Sequence, residues 1–298
     1  MPFSHTILQE PTNEWGGPWT EKKLNAFSKY VAAYLTIMKK FPYWKTIYFD
    51  GFAGSGNRKE KGKSLIYKQL QITLQEDHVY KGSAERVLKL KNDRQFDFYY
   101  FIDTDEESLN KLEGKLKSLP DVPTGKLIFK PGDCNKWILE LSIALKTKQY
   151  AALVLLDPFG MQIDWESIAS LKDTRSDLWI LVPTGVIVNR LLDRNGELKQ
   201  TKKLQSFFGL EEEKIKSFFY KTNRYTTLFG EVEITNKIMK PIEQIAKLYV
   251  SQLKTIWKYV SDNPLRLLNS KGVPIFHFIF ASNNQHATKI ANQIIKSV

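Results

Sequence analysis

The sequence predicts an α/β protein with a doubly wound, mostly parallel Rossmann-like sheet, and three observations support this prediction. Apolar strand-like segments alternate with segments whose apolar residues recur at helical spacing. Four of the strand-like segments have an aspartate at their carboxyl end. The chain closes with a pattern typical of an antiparallel hairpin followed by a helix, and 298 residues suffice for one such domain with an insertion.

Composition excludes several protein classes. A hydrophobic content of 42% supports a sizeable core, but the sequence has no run of about 18 apolar residues that would predict a membrane-spanning helix. Cys134 is the only cysteine, which excludes an internal disulfide and a cysteine-based zinc site. The scattered histidines offer no metal-ligand spacing, and the amino terminus lacks the pattern of a signal peptide. We therefore expect a cytoplasmic protein without a bound metal.

The charge balance predicts an anionic partner. The net charge of +12 is typical of proteins that bind nucleic acid, DNA or RNA. The alternative is that the lysines are solvated helix faces that serve solubility. A basic cluster at Lys59, Lys61 and Lys63 lies in an apparent insertion at 57–81. This cluster is either a solvated loop or a set of phosphate contacts beside the site.

A helix and a glycine-rich turn open the domain. Thr20 is the expected N-cap, and apolar residues at helical spacing continue to Met38, so we expect a helix laid on the edge of the sheet. The first strand begins at Thr46 and ends at Asp50. In the turn that follows, small residues allow a ligand to approach the backbone closely. The proposed ligand-binding residues of this turn are Gly51, Phe52, Ala53, Gly54 and Gly56.

Further strands are predicted at 96–102, 126–130, 150–156 and 177–183. Asp103 closes the second strand, where βαβ units hold a ribose hydroxyl pair, and Asp105 is the expected cap of the next helix. Ser83 is the expected cap of the preceding helix. Asp133 follows the third strand and Asp157 the fourth. Ligands bind outside the carboxyl ends of parallel strands, so these aspartates, with Asp50, predict a binding site.

The remainder of the chain divides into an insertion and the end of the sheet. Residues 190–258 are predicted to be a helical insertion that serves as a lid, as a target-recognition element or as a packing subdomain. Segments 265–268 and 274–281 are predicted to form a hairpin, with a final helix to Val298. We divide the chain accordingly into a helical extension at 1–45, a Rossmann-like core at 46–189 and 259–298, and the insertion.

Five parallel strands followed by a terminal hairpin resemble the class I S-adenosylmethionine-dependent methyltransferases. Within that class the sequence is similar to the three-Cys-motif partner (TcmP) family. The matching stretches are 17–24, 30–35, 48–56, 82–83, 101–103, 132–135, 155–160 and 278–282. The resemblance implies S-adenosyl-L-methionine as cofactor and a three-Cys-motif protein as a partner. It also implies cofactor contacts at the glycine turn, at Asp103 on the ribose, at Asp133 on the adenine amine and at Cys134 near the ring.

The segment Asp157-Pro158-Phe159-Gly160 is similar to the fourth motif of amino-methyltransferases. In that motif the acid and a backbone carbonyl accept hydrogen bonds from an exocyclic amine, and the aromatic ring stacks on the flipped base. A single proline before the ring is closer to the tRNA guanine-N2 dimethyltransferases than to the adenine enzymes. The resemblance therefore implies a methyltransferase that acts on an exocyclic amine of a nucleic-acid base, with Asp157, Pro158 and Phe159 as catalytic residues.

Alternative interpretations remain for both the site and the function. Asp157 is the cap of the following helix in one alternative, and Phe159 then fills the core. The chain is a cofactor-binding scaffold of a mobile-element or phage-defence locus in another. A nicotinamide-dependent oxidoreductase is disfavoured because the Gly-x-Gly-x-x-Gly fingerprint is absent.

Overall fold

The computed structural model describes residues 18–54, 82–90, 95–158, 160–228 and 230–298. Gly56, Lys59, Lys61, Lys63 and Phe159, which carry predictions made above, lie outside these ranges. The strands of the described residues are β1 (Lys45–Asp50), β2 (Phe98–Asp103), β3 (Leu127–Pro131), β4 (Tyr150–Leu156), β5 (Ser176–Val182), β6 (Tyr220–Thr227), β7 (Gly230–Lys237), β8 (Tyr259–Val260), β9 (Leu265–Leu268) and β10 (Pro274–Ser282). The helices are α1 (Pro18–Met38), α2 (Gly82–Leu88), α3 (Glu106–Lys117), α4 (Cys134–Lys146), α5 (Trp165–Ala169), α6 (Thr201–Phe208), α7 (Glu212–Phe219), α8 (Pro241–Leu253) and α9 (Gln285–Lys296), with a π-helical turn at Thr184–Val188 that continues into Asn189–Leu191.

The described residues form a central sheet of eight strands, which confirms the predicted fold class. Its order is β3-β2-β1-β4-β5-β10-β8, and β9 pairs with β10. Strands β1 to β5 are parallel, whereas β10 runs antiparallel to β5. The strand order reverses between β1 and β4, so their carboxyl ends are neighbours at the switch point of the sheet.

Helix α1 lies across one face of the sheet, and the expectation that it would lie on the edge is wrong. Phe27 contacts Trp179 on β5 and Tyr48 on β1, with ring centroids 6.5 and 6.2 Å apart. Tyr30 packs on Phe280 of β10 at 4.7 Å. The apolar periodicity identified the buried side of the helix correctly, but it carries no information on which part of the sheet that side covers.

The opposite face of the sheet is covered by the helices that follow β3 and β4 and by the insertion. Ile138 of α4, Ile168 of α5 and Phe207 of α6 are buried in the same core as Val154 of β4 and Ile180 of β5. Helices therefore lie on both sides of the strands, as a doubly wound sheet requires.

The insertion contains an element that the sequence analysis did not predict. Helices α6, α7 and α8 are at the expected places, but β6 and β7 form a separate two-stranded antiparallel sheet between them. Both faces of this hairpin carry polar residues, and Tyr225, Val232 and Ile234 remain exposed. A strand pair without a buried face lacks the alternation of apolar and polar residues from which strands are predicted.

Two predicted helix caps are also corrected. Helix α1 begins at Pro18, so Thr20 lies inside it, and its buried hydroxyl has no hydrogen-bond partner in the described ranges. Helix α2 begins at Gly82, and Ser83 lies inside that helix. By contrast, Asp105 caps α3 as predicted, since its carboxylate accepts hydrogen bonds from the backbone amides of Glu107 and Ser108.

Candidate functional site

The turn after β1 is held between two neighbouring strands. The amide of Gly51 donates to the carbonyl of Leu155 on β4 at 3.0 Å, and the amide of Ala53 donates to that of Ile102 on β2 at 2.9 Å. Because the turn makes backbone hydrogen bonds to both strands, its path is defined before any side chain contributes. The turn therefore lies directly against the carboxyl ends of β2 and β4.

Glycine is required at the first position of this turn. A β-carbon at Gly51 would lie 2.5 Å from Sγ of Cys134 and 2.8 Å from a methyl carbon of Leu156. Cys134 is the first residue of α4 and is buried, and its burial raises the pKa of the thiol well above the ordinary value. The thiol thus packs on the glycine as an uncharged group.

Asp103 joins the end of the turn to the start of α3. One carboxylate oxygen accepts a hydrogen bond from the amide of Gly54 at 3.1 Å, and the other accepts one from the amide of Asp105 at 2.8 Å. A β-carbon at Gly54 would lie 3.2 Å from the amide nitrogen of Leu109. Both carboxylate oxygens are therefore oriented by backbone donors, and glycine lets the turn approach α3 closely.

Asp50 is a buried carboxyl group in a neutral hydrogen-bonding environment. Its Oδ2 accepts hydrogen bonds from the hydroxyls of Tyr48 at 3.0 Å and of Ser83 at 3.3 Å, and Oδ1 accepts one from the amide of Phe52 at 3.3 Å. Burial raises the pKa of Asp50 to about 7, and the nearby charge of Asp157 adds to this rise. Hydrogen bonds from neutral donors offset only part of the desolvation of the charged form.

Asp157 has a cation as its partner. Nζ of Lys23, on α1, lies 2.5 Å from Oδ2 of Asp157, and the two side chains are 1% and 5% exposed. The ammonium group also lies 5.6 Å from the ring centroid of Trp19. Asp157 therefore does not cap a helix, as one alternative interpretation held, and instead forms a buried ion pair between α1 and the end of β4.

The second oxygen of Asp157 is buried and has no hydrogen-bond partner within the part of the chain that the structure describes. A buried polar atom without a partner costs about 1–3 kcal/mol of stability. Such an atom at the carboxyl edge of a parallel sheet is a natural acceptor for a donor group of a ligand.

Lys23 was not identified from the sequence, although a signal for it exists. Positions 23, 27, 30 and 34 fall on one side of a helix, and Phe27, Tyr30 and Tyr34 are all buried there. A lysine on an apolar helix face requires a buried acidic partner, since a buried charge is otherwise too costly. The pattern did not reveal which acid this would be, because the pair is separated by 134 residues.

Asp133 lies at the rim of the site and caps α4. Its Oδ1 accepts hydrogen bonds from the amide and from the side chain of Asn135 at 2.9 and 3.1 Å. Asn135 in turn bonds the carbonyl of Gln162 and the amide of Asp164, both on the connection after β4. This arrangement fixes the start of α4 to the segment that carries Asp157.

Pro158 is buried directly after Asp157, and Phe52 is half-buried against the second core. The structure thus brings together the described turn residues with Asp50, Asp103 and Asp157, with Cys134 beneath the turn and Asp133 at the rim. Among the described residues there is no group of three or more His, Cys, Asp or Glu side chains that would hold a metal ion. In the same parts of the chain, no helix has both the length and the apolar character needed to cross a membrane.

A groove of about 850 Å³ lies at the opposite, amino-terminal edge of the sheet. Its lining includes Trp44, Lys148, Arg175 and Trp257, and the guanidinium of Arg175 stacks on the ring of Trp44 at 3.7 Å. The groove is separated from Asp50, Asp103 and Asp157 by the length of the strands. We place the candidate site at the carboxyl edge because the buried acids and the glycine turn lie there.

Comparisons with known proteins find little similarity. No model of a known protein family matches the chain, and no curated protein matches it. Among solved structures, the chain is similar to protein LPL1258 from Legionella pneumophila, of the family DUF519. The two are 14% identical, the comparison covers 78% of this chain and 92% of that chain, and the TM-score is 0.34.

Proposed function

We propose that this chain is an S-adenosylmethionine-dependent methyltransferase of the three-Cys-motif partner type that acts on an exocyclic amine of a nucleic-acid base. The observation that carries the proposal is the convergence at one sheet edge of a glycine turn, the oriented carboxylate of Asp103 and Oδ1 of Asp157, which has no partner among the described residues. The strand order supports it, because the class I methyltransferases likewise insert an antiparallel strand beside the fifth parallel strand.

The residues of the turn fit a nucleoside cofactor. The absence of a side chain at Gly51 and Gly54 lets the turn pack directly on Cys134 and on the start of α3, which fixes the backbone that would meet the ligand. Asp103 would hold the ribose hydroxyls, since its carboxylate is held at the tip of β2 by two backbone amides. Asp133 would reach the adenine amine with Oδ2, and Cys134 would lie close to the ring. Asp50, Phe52 and Ala53 would shape the turn around the methionine part.

The chain itself would contribute alignment rather than acid–base chemistry. S-adenosylmethionine, when bound, supplies a methyl group on a sulfonium that is already electrophilic. Asp157 would accept an amine hydrogen at Oδ1 and so orient the nitrogen lone pair. Pro158 would present a backbone carbonyl to the same amine, and Phe159 would stack on the base, which must leave its duplex or loop to enter the site. The buried setting of Asp157 would exclude water from the acceptor.

Charge supports nucleic acid as the substrate. The net charge of +12 favours a polyanion, and Lys59, Lys61 and Lys63 would contact phosphates beside the glycine turn. A three-Cys-motif protein would be the protein partner.

The proposal is tested by removing the carboxylate of Asp157. Purified protein is incubated with labelled S-adenosylmethionine and total nucleic acid from a host that lacks the gene, and label is sought on RNA and on DNA. Asp157→Ala should abolish labelling while leaving cofactor affinity, measured by titration calorimetry, nearly unchanged, because the lost ligand contact belongs to the acceptor. The change also removes the partner of the buried Lys23, so circular dichroism has to show that the variant is folded. The matched control is Asp164→Ala, which removes an acid of the same connection that instead contacts Lys203 and Ser206.

Three results would count against the proposal. Labelling that persists in Asp157→Ala would refute the role of this residue. Binding of a nicotinamide cofactor in preference to S-adenosylmethionine would refute the reaction class. Cofactor binding without label on any nucleic acid would favour the scaffold alternative.

A further inference from the structure

We propose that Lys23 is a positioning residue of the active site, which holds Oδ2 of Asp157 and so turns its Oδ1 toward the acceptor amine. This inference rests on the proposed function, because it assigns the orientation of the same acceptor group. It adds α1, which precedes the Rossmann-like core, to the elements that build the site.

The position of the ammonium group is fixed by packing. Lys23 is only 1% exposed, and the next residues on its side of α1 are Phe27 and Tyr30, which lie against the sheet. The helix therefore cannot turn to release the lysine without losing this core. Since Nζ contacts Oδ2 of Asp157 at 2.5 Å, one oxygen is occupied and the rotation of the carboxylate is set.

The charges around Asp157 make a cation necessary there. Asp50 and Tyr48 face Asp157 from β1; Asp50 is an acid and Tyr48 is neutral, so neither supplies a positive charge. Burial raises the pKa of Asp50 to about 7, and the charge of Asp157 acts in the same direction. Of the described groups that face Asp157 from α1 and β1, Lys23 is the one that carries a positive charge.

The unused oxygen distinguishes this pair from a purely structural ion pair. A buried ion pair that serves only the fold is expected to have its remaining lone pairs satisfied by further donors. Oδ1 of Asp157 has no partner among the described residues, although it is fully buried. The geometry thus leaves one acceptor oxygen beside an occupied one, which suits a donor that arrives with the substrate.

The test compares the pH dependence of methyl transfer in three variants of Lys23. Lys23→Met removes the charge, Lys23→Gln keeps a hydrogen-bond donor without a charge, and Lys23→Arg keeps the charge. Transfer needs the ionised carboxylate, so it is lost as the pH falls through the acid limb of the profile. Removal of the cation disfavours the charged carboxylate, so the acid limb of the Met and Gln variants should lie at higher pH than that of the wild type. Lys23→Arg should keep the limb near that of the wild type.

Within the pH range of this limb the Met and Gln variants should therefore transfer methyl groups more slowly than the wild type, and raising the pH should restore their rate. Lys22→Met is the matched control. Lys22 is next to Lys23 in the sequence, but its side chain lines a groove with Glu243 and Asp262 and does not lie against Asp157. If Lys23→Met does not fold, the comparison of Gln with Arg decides the question. A profile whose acid limb is the same in Gln, Arg and wild type would overturn the proposal, even if all rates fell.

A second measurement keeps this inference separate from the proposed function. Aspartate labelled with ¹³C at the carboxyl carbon reports ionisation by NMR, and the Asp157 resonance is assigned by its loss in Asp157→Asn. The resonance should titrate at higher pH in Lys23→Gln than in the wild type. If no methyl transfer is seen but this shift is found, the proposed function fails and the electrostatic role stands. If transfer depends on Asp157 but neither measurement shifts, the role of Lys23 is refuted and the proposed function survives.

Discussion

Substituting Gly51 by alanine should destabilise the protein, because the added methyl group has no room beneath the glycine turn. Its β-carbon would lie 2.5 Å from Sγ of Cys134 and 2.8 Å from a methyl carbon of Leu156. Favourable contacts between such atoms lie at about 3.5–4.0 Å, so the thiol would have to move by roughly 1 Å. Cys134 cannot do so freely, since it begins α4 and is buried.

The expected cost follows from two opposing effects. Overpacking of a well-packed core costs about 1–3 kcal/mol. Replacing glycine by alanine also restricts the unfolded chain, which stabilises by about 0.4–1 kcal/mol where the backbone conformation allows it. We therefore expect Gly51→Ala to lower the free energy of unfolding by about 1–2 kcal/mol. Cys134→Ala removes the closer of the two clashing atoms and leaves the methyl carbon of Leu156, so the double variant should be more stable than the two single effects predict, by about 1 kcal/mol.

Urea denaturation of the wild type, both single variants and the double variant measures this coupling, provided that the four m-values agree. Gly114→Ala is the matched control. Gly114 lies in the interior of helix α3, and a β-carbon added there meets no neighbouring atom of the described residues within 4 Å. That change should stabilise the protein by about 0.5–1 kcal/mol. The reasoning is refuted if Gly51→Ala is as stable as Gly114→Ala, or if Cys134→Ala adds its full cost to the double variant.

Three further predictions concern the ligands and the pH dependence. Asp103→Ala should weaken S-adenosylmethionine binding in calorimetry by about 1–3 kcal/mol while the protein stays folded, and unchanged affinity would remove it from the site. Burial raises the pKa of Asp50 from 3.8 to about 7, so between these pH values the folded protein holds a proton that the unfolded chain has lost. The free energy of unfolding of the wild type should therefore fall by up to ~4 kcal/mol as the pH rises from about 4 to about 7. Asp50→Asn should flatten that slope in urea denaturation series, and an identical slope would contradict the shift. Charge reversal at Lys59, Lys61 and Lys63 should lower RNA or DNA affinity for all sequences and reduce its salt dependence, which filter-binding at several salt concentrations measures.

The core strands were predictable because each is an apolar run bounded by polar residues, so the local sequence shows where the strand begins and where it ends. Strand β4 has the predicted bounds, and β1, β2, β3 and β5 differ from prediction by at most two residues at either end. Aspartate at the strand ends marked the edge where a parallel sheet binds ligands, since topology alone brings those ends together. These features depend on local sequence and on the rules of sheet connection.

What could not be predicted depends on contacts between distant segments. The hairpin of β6 and β7 has no buried face, so no alternation distinguishes it from a loop. The capping role of Thr20 failed because the helix extends to Pro18, where proline is favoured in the first turn. The pairing of Asp157 with Lys23 could not be predicted from the sequence, for the same reason that the position of α1 on the sheet was predicted wrongly. Helical periodicity shows that a side is buried, but tertiary packing decides what it is buried against.

The two buried acids at the switch point are distinguished by their partners, and this difference assigns their roles. Asp50 receives hydrogen bonds from Tyr48 and Ser83, which are neutral and leave its pKa raised to about 7. Asp157, one strand away, is bound by the ammonium group of Lys23. Acids whose environments differ in this way perform different tasks. Asp50, with both oxygens engaged, holds the turn in shape, whereas Asp157 keeps one oxygen for a donor that the described residues do not supply. Under the proposed function, the acceptor amine is therefore expected at the fourth strand and not at the first.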